Sequence, residues 1–425
     1  MARRTEQCEG TGFRGRQVSY PPSTSRPGPT RIHARAAQDA EKRRKRGRIV
    51  LALSAIIVLV LGAGFVAKLL DLPPFFDKQA VAADYPGPGG KLVIVQVHPG
   101  DTAEKIAQTM AAKDVVASWE AFYEAAVQSP AMSVIEPGFY SLKEKMSADE
   151  AVTTMVDPTS RVGKLVISEG RQLHDSRDVN TDAIKEGIYT KIAKASCYGT
   201  QPQKCVNYQD LDAAGSSSDL AALGVPDWAL ASVKSVPDPK RQLEGLIAAG
   251  SWDFDPTASP IDILKYLVSQ SAELYDETGI KTAGKNSGLD PYQMLIAASL
   301  TERESLPADF PKVARVIVNR LKVNQPLQFD STVNYSLDTT EVATTDADRE
   351  RKTPWNTYAM AGLPATPIAS PSVEALKAVE SPAPGDWLYF VTIDKQGTTL
   401  FTADYNEHLR NIQKALDSGI LDSGR

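Results

Sequence analysis

A chain of 425 residues with an apolar fraction of 42% is long enough for two or three folded domains and too apolar to be disordered throughout. Its net charge of −5 hides a division: residues 1–48 carry thirteen Lys and Arg against four acids, a net of +9, which leaves −14 on the remainder. Four scattered histidines (His33, His98, His174, His408) show no ligand spacing, and no Gly-rich phosphate loop or Ser-His-Asp order competes, so neither a metal nor a cofactor is expected.

Residues 1–48 are rich in Arg, Pro, Ser and Gly, cannot bury a core, and read as a disordered basic tail. No folded recognition motif accompanies the charge, so nucleic acid is not an expected partner. From Ile49 to Ala67 the chain is uncharged for nineteen residues, about enough to cross a bilayer as one helix, here assigned to 49–68. Lys42 to Arg48 precede it and Asp71 and Asp77 follow, which predicts a cytoplasmic amino terminus, an extracytoplasmic bulk and a single-pass cell-membrane location. A cleaved signal peptide is the competing reading. Its small-residue site, Ala80-Val81-Ala82, lies too far beyond the apolar run.

Residues 69–90 form a tether rich in Pro, Gly and Ala. Lys91 to Val97 is β-branched and predicts a strand, Asp101 with Glu104 predicts a capped helix to about Ala112, and a second helix is expected near 117–127. A strand at 138–142, a helix opened by Ser147 and Glu150, and a strand at 164–168 complete a β-α-α-β-α-β module over 91–168. It clusters no acid, base or nucleophile, so binding suits it better than catalysis. Residues 171–240 carry few motifs but hold Cys197 and Cys205, whose short Gly- and Pro-containing loop in oxidising surroundings favours a disulfide.

The catalytic candidate lies on the next helix. Asp290 caps it, Pro291 suits its first position, and Met294 to Ala298 with Leu300 point around nearly the whole circumference, so protein encloses it. Glu302 and Glu304 end it. An enclosed carboxylate tends to stay protonated, which suits a general acid, and a spacing of two residues, about 200° of rotation, keeps these two from sharing one site. Strands at 387–392 and 398–402 read as a hairpin, and a helix over about 404–417 ends the chain. The fold class is α+β.

The segment Val97-His98-Pro99-Gly100-Asp101-Thr102 and the element order around it resemble a LysM-like glycan-binding unit. Leu243-Glu244-Gly245, Ala298 to Glu304, Val318-Asn319-Arg320-Leu321, Leu327 to Val333, Thr353 to Tyr358, Gly362-Leu363-Pro364 and Pro367 to Pro371, in that order, resemble the endolytic murein transglycosylase family, the YceG-like proteins, over about residues 90–418. The resemblance implies a helix-rich, lysozyme-like catalytic domain over 169–420, with 171–240 an elaboration. Glu302 is then the catalytic acid, and Glu304, Gln328, Asp330, Thr332, Asn356, Thr357 and Tyr358 line or brace the cleft. After Leu-Glu-Gly the chain departs from the family pattern, reading Leu246 to Trp252.

The implied reaction cuts the MurNAc-GlcNAc bond of nascent peptidoglycan and leaves 1,6-anhydro-MurNAc ends, helping to organise the wall and end strand elongation. A single acid suffices, because the same glutamate first protonates the leaving oxygen and then takes the proton of the muramoyl 6-hydroxyl. Implied partners are glycan strands, the membrane and penicillin-binding proteins. Two alternatives stand: a non-catalytic glycan-binding scaffold, or a hydrolytic muramidase, for which Asp330 is the second acid to check.

Overall fold

The computed structural model describes residues 82–199, 203–340 and 344–420. The basic tail and the apolar run at 49–67 lie outside the described residues. No helix among the described residues is long and apolar enough to cross a membrane.

The strand Leu92–Val97 pairs antiparallel with Gly138–Lys143, which pairs in turn with the short strand Arg161–Val162. Helices Ala103–Ala112, Trp119–Gln128 and Ala148–Val156 accompany this sheet. Val95, Met110, Phe122, Leu142 and Met155 are fully or nearly fully buried in its core. Two local expectations need correction. The cap of the first helix is Thr102, whose hydroxyl accepts from the N–H of Lys105, while Asp101 turns back to accept from the N–H of His98 at 2.8 Å. The strand expected at 164–168 does not complete this sheet: Lys164–Ile167 pairs with Gly250–Asp253 in a separate ribbon. Gly163 makes the break, with φ +70 and so little room that a Cβ would sit 2.0 Å from the carbonyl oxygen of Phe254.

A second, larger core begins at Leu165 and runs to Val379. At its centre lies the helix Pro291–Glu304, opened by a capping box between Asp290 and Gln293 and buried continuously from Met294 to Thr301. Its two internal hydroxyls are satisfied locally, Ser299 by the carbonyl of Ile296 and Thr301 by that of Ala297. Helices Phe310–Lys322, Asp330–Ser336 and Val373–Glu380 pack against it. The hairpin Tyr389–Thr392 with Thr399–Thr402 and the helix Tyr405–Asp417 follow. The departure after Gly245 forms the strand Gly250–Asp253, where Trp252 donates its indole N–H to the carbonyl of Ala248. Cys197 and Cys205 are joined in a disulfide, beside a backbone pair between Tyr198 and Lys204.

Candidate active site

The enclosed helix delivers its two acids to different neighbours. Glu302 is half-buried, and its Oε2 accepts both the N–H of Ser372 at 3.0 Å and the hydroxyl of Ser372 at 2.5 Å. Ser372 is the N-cap of Val373–Glu380, so this carboxylate is tied to a helix amino terminus. Glu304 faces the Asp330–Ser336 helix and accepts from the hydroxyl of Ser331 at 2.5 Å. Part of the residue reaches the surface, but protein surrounds its carboxyl group. Burial pushes the Glu304 carboxyl above the usual carboxylate range, and the nearby charge of Asp330 pushes the same way against the opposing pull of Ser331 and Arg303.

Beside Glu304 lies a polar cluster. Asp330 Oδ1 accepts from the phenol of Tyr358 at 2.9 Å and the hydroxyl of Thr344 at 2.5 Å, and Arg349 meets the same carboxylate at 3.3 Å. The guanidinium of Arg349 also lies 5.0 Å from the centre of the Tyr358 ring. Burial, with Asp330 adding to it, pushes the Tyr358 phenol upward, so it stays a hydrogen-bond donor.

The remaining expected cleft residues divide. Thr332, Asn356 and Thr357 are each at most 1% exposed, which places them to brace the surrounding turns rather than to line a surface. Thr332 and Thr357 bond each other at 3.0 Å, and Thr357 Oγ1 accepts from the N–H of Phe329, fixing the turn ahead of Asp330. The Asn356 amide donates to the carbonyls of Asp348, Arg349 and Arg351 and its oxygen accepts from the N–H of Tyr358, so one side chain sets both Arg349 and Tyr358. Gln328 is exposed at φ +53, its N–H given to the carbonyl of Thr357. Gly362, Leu363 and Pro364 line a cavity of about 420 Å³ at the opposite end of the central helix, apart from the acids.

Three contributors carried no usable sequence signal: Arg349 in an acid-rich segment, Ser331 inside a motif whose polar members outnumber its roles, and Ser372 one residue past the last motif. Glu244 is a different case. It is buried, accepting from the Leu173 N–H at 3.1 Å and the Tyr335 phenol at 3.0 Å, and burial pushes its carboxyl up to about 8.

Comparison with known proteins gives the context for this arrangement. The profile of the YceG-like family matches residues 95–414. An endolytic murein transglycosylase of Bacillus subtilis (strain 168) is 30% identical over 331 residues, covering 77% of this chain and 85% of that protein. One from Streptococcus pneumoniae (strain ATCC BAA-255 / R6) is 26% identical over 190 residues, 42% of this chain and 33% of that one. A crystal structure of a yceG-like protein from Listeria monocytogenes aligns at 23% identity with a TM-score of 0.47, covering 75% of this chain and 99% of that chain. By the extent of the profile match and of the Bacillus relative, the chain belongs to the YceG-like family.

Proposed function

We propose that this chain is a lytic transglycosylase that cuts peptidoglycan glycan strands internally, with Glu304 as the acid. The observation that carries the assignment is the enclosed, raised carboxyl of Glu304 at the end of the central helix, beside Ser331, Asp330 and Tyr358. A glycosidic oxygen leaves only if protonated, and a carboxyl held neutral by burial can protonate it. Once ionised, Glu304 takes the proton of the muramoyl 6-hydroxyl as that oxygen bonds to C1, which regenerates the acid and closes a 1,6-anhydro ring. The resemblance favours Glu302 for this role. The bonds of Glu302 to the cap of the Val373–Glu380 helix favour instead a bracing role for that carboxylate.

One observation favours a second reading. Asp330 is a carboxylate close enough to raise Glu304, and such a pair could activate water and hydrolyse the bond. Tyr358, Thr344 and Arg349 occupy its oxygens, which favours transglycosylation. Mass spectrometry of glycan products decides: anhydro ends support transglycosylation, reducing ends hydrolysis, and intact strands a non-catalytic scaffold.

The nineteen-residue apolar run, with basic charge ahead of it and acids behind, supports an uncleaved anchor that leaves the catalytic part outside the membrane, where the wall lies. The module around Val95 and Phe122 then acts as a LysM-like strand-holding unit. Penicillin-binding proteins of the wall-synthesis machinery are the partners such a location implies, with the organisation of the wall and the end of strand elongation as the process served.

A further inference from the structure

Asp330 opens the helix Asp330–Ser336 beside Ser331, the residue that holds Glu304, and its side chain is 42% exposed, so water reaches it. Its two oxygens are treated differently. Oδ1 accepts from the Tyr358 phenol at 2.9 Å and the Thr344 hydroxyl at 2.5 Å, which fill the two lone-pair positions of one carboxylate oxygen. Oδ2 meets Nη2 of Arg349 at 3.3 Å, and the same nitrogen lies 3.3 Å from Oδ1. The guanidinium is itself aimed by its neighbours. Its Nε donates to the Thr344 hydroxyl at 2.9 Å, the Tyr358 ring is centred 5.0 Å from its Cζ, and the Asn356 amide holds the Arg349 carbonyl at 3.0 Å.

We propose that Arg349 is a positioning residue that decides the fate of the cleaved sugar: by holding Oδ2 of Asp330 it keeps that carboxylate from activating water, and the muramoyl 6-hydroxyl closes on C1 instead. This rests on the transglycosylase reading and adds what enforces it. Both outcomes begin alike, with the proton of Glu304 passing to the leaving oxygen as the bond from C1 to that oxygen breaks. In ring closure the 6-hydroxyl oxygen bonds to C1, its proton returns to Glu304, and no water is consumed. In hydrolysis a water oxygen bonds to C1, one water proton passes to Asp330, and exchange with solvent resets both acids. A carboxylate takes that proton only through an oxygen whose lone pair is open to the water. Hydroxyl donors fill Oδ1, so Oδ2 is the oxygen able to do this, and Arg349 is the group that meets it. With Arg349 36% and Asp330 42% exposed, such a pair adds little to stability, which suits the contact to steering rather than to holding the fold.

The test is the ratio of anhydro to new reducing ends, read by mass spectrometry after the full chain in detergent digests purified strands whose original reducing ends have been converted to the alditol. The unsubstituted chain should leave anhydro ends. Arg349→Met removes every donor at similar length and should raise the share of new reducing ends about tenfold, the effect of one hydrogen bond to a charged group. Arg349→Lys keeps the charge without the fork and should fall between the two; it carries the test if the Met variant does not fold. Arg349→Met combined with Asp330→Asn has no carboxylate to release and should return to anhydro ends. A merely structural Arg349 would lower the rate and leave the ratio where it was, which overturns the proposal, as do new reducing ends that persist without the Asp330 carboxylate. Reducing ends from the unsubstituted chain, or no cleavage by it, would sink the transglycosylase reading and the proposal together, whereas unaltered anhydro ends in the Arg349 variants sink the proposal alone.

Discussion

The carboxylate of Glu302 holds the N–H and the hydroxyl of Ser372 through a single oxygen, at 3.0 and 2.5 Å, while Glu304, two residues on, is held by Ser331 at 2.5 Å. One acid of the pair is thereby tied to a helix cap and the other to the polar cluster around Asp330. Glu304→Gln keeps the size but cannot donate a proton, so cleavage should fall about 10²- to 10⁴-fold in a folded protein. Glu302→Gln loses only the charge assistance at the Ser372 cap, about 1 kcal/mol, and should keep cleavage within a few-fold. Turnover on purified strands and calorimetric melting read the two effects. The opposite pattern returns the acid to Glu302.

A pH profile tests how Asp330 acts. Its charge pushes the Glu304 carboxyl upward, so removing it in Asp330→Asn should lower that carboxyl. The acid works protonated and is lost as pH rises through its pKa; the alkaline limb of kcat/KM therefore moves to lower pH in the variant. Loss of activity at every pH, with folding intact, would mark Asp330 as a catalytic partner and support the hydrolytic reading.

What was legible in the sequence followed from period and capping. Continuous apolar character from Met294 to Ala298 announced an enclosed helix, Asp290 announced its start, and the rotation between Glu302 and Glu304 announced that they serve different places. Which acid is enclosed was not legible. That depends on Ser372 and Ser331 arriving from segments 70 and 27 residues away, and nothing local to the helix encodes their arrival. Whether Thr332, Asn356 and Thr357 line the cleft or brace it was not legible for a related reason. A polar side chain in a motif can serve the backbone as readily as a ligand, and the backbone won at all three. The third strand of the first sheet was misplaced because Arg161–Val162 is too short to show a pattern, whereas Lys164–Ile167, the better strand by sequence, pairs elsewhere.

Glu244 should leave a signature in stability. Its folded value of about 8 lies above the ordinary 4.5, so the folded chain retains a proton that the unfolded chain releases. The contribution is fully present below about pH 4.5 and is lost as pH rises to about 8, on the order of a few kcal/mol. Glu244→Gln cannot ionise and should flatten that slope, making the variant the more stable protein at pH 9. Denaturant midpoints at pH 5 and pH 9 provide the check; parallel curves for both proteins would remove Glu244 as the source.

Location has its own readout. If the apolar run and the +9 tail anchor the chain as proposed, external protease added to cells stripped of their wall should digest the acidic bulk and leave a protected piece containing residues 1–67. A mature protein that begins near Ala83 would establish cleavage of a signal peptide instead.

The bond between Cys197 and Cys205 should matter to stability and not to turnover. It closes a loop of sequence separation 8 that begins just after the helix Ile188–Ala195, and the Tyr198–Lys204 backbone pair closes the same loop from within. By loop entropy the cross-link is worth roughly 2–3 kcal/mol. Glu304 and Asp330 draw their hydrogen bonds from Ser331, Thr344, Arg349 and Tyr358, not from this loop. Replacing both cysteines by Ser should therefore lower the melting temperature by several degrees and leave cleavage per folded molecule nearly unchanged. Non-reducing peptide mapping of protein exported by its own host supplies the chemical check. Two alkylatable thiols there would deny the cross-link, and turnover lost from a folded double-Ser protein would mean that the loop shapes the cleft through the Ile188–Ala195 helix, whose first N–H is held by the carbonyl of Gln172.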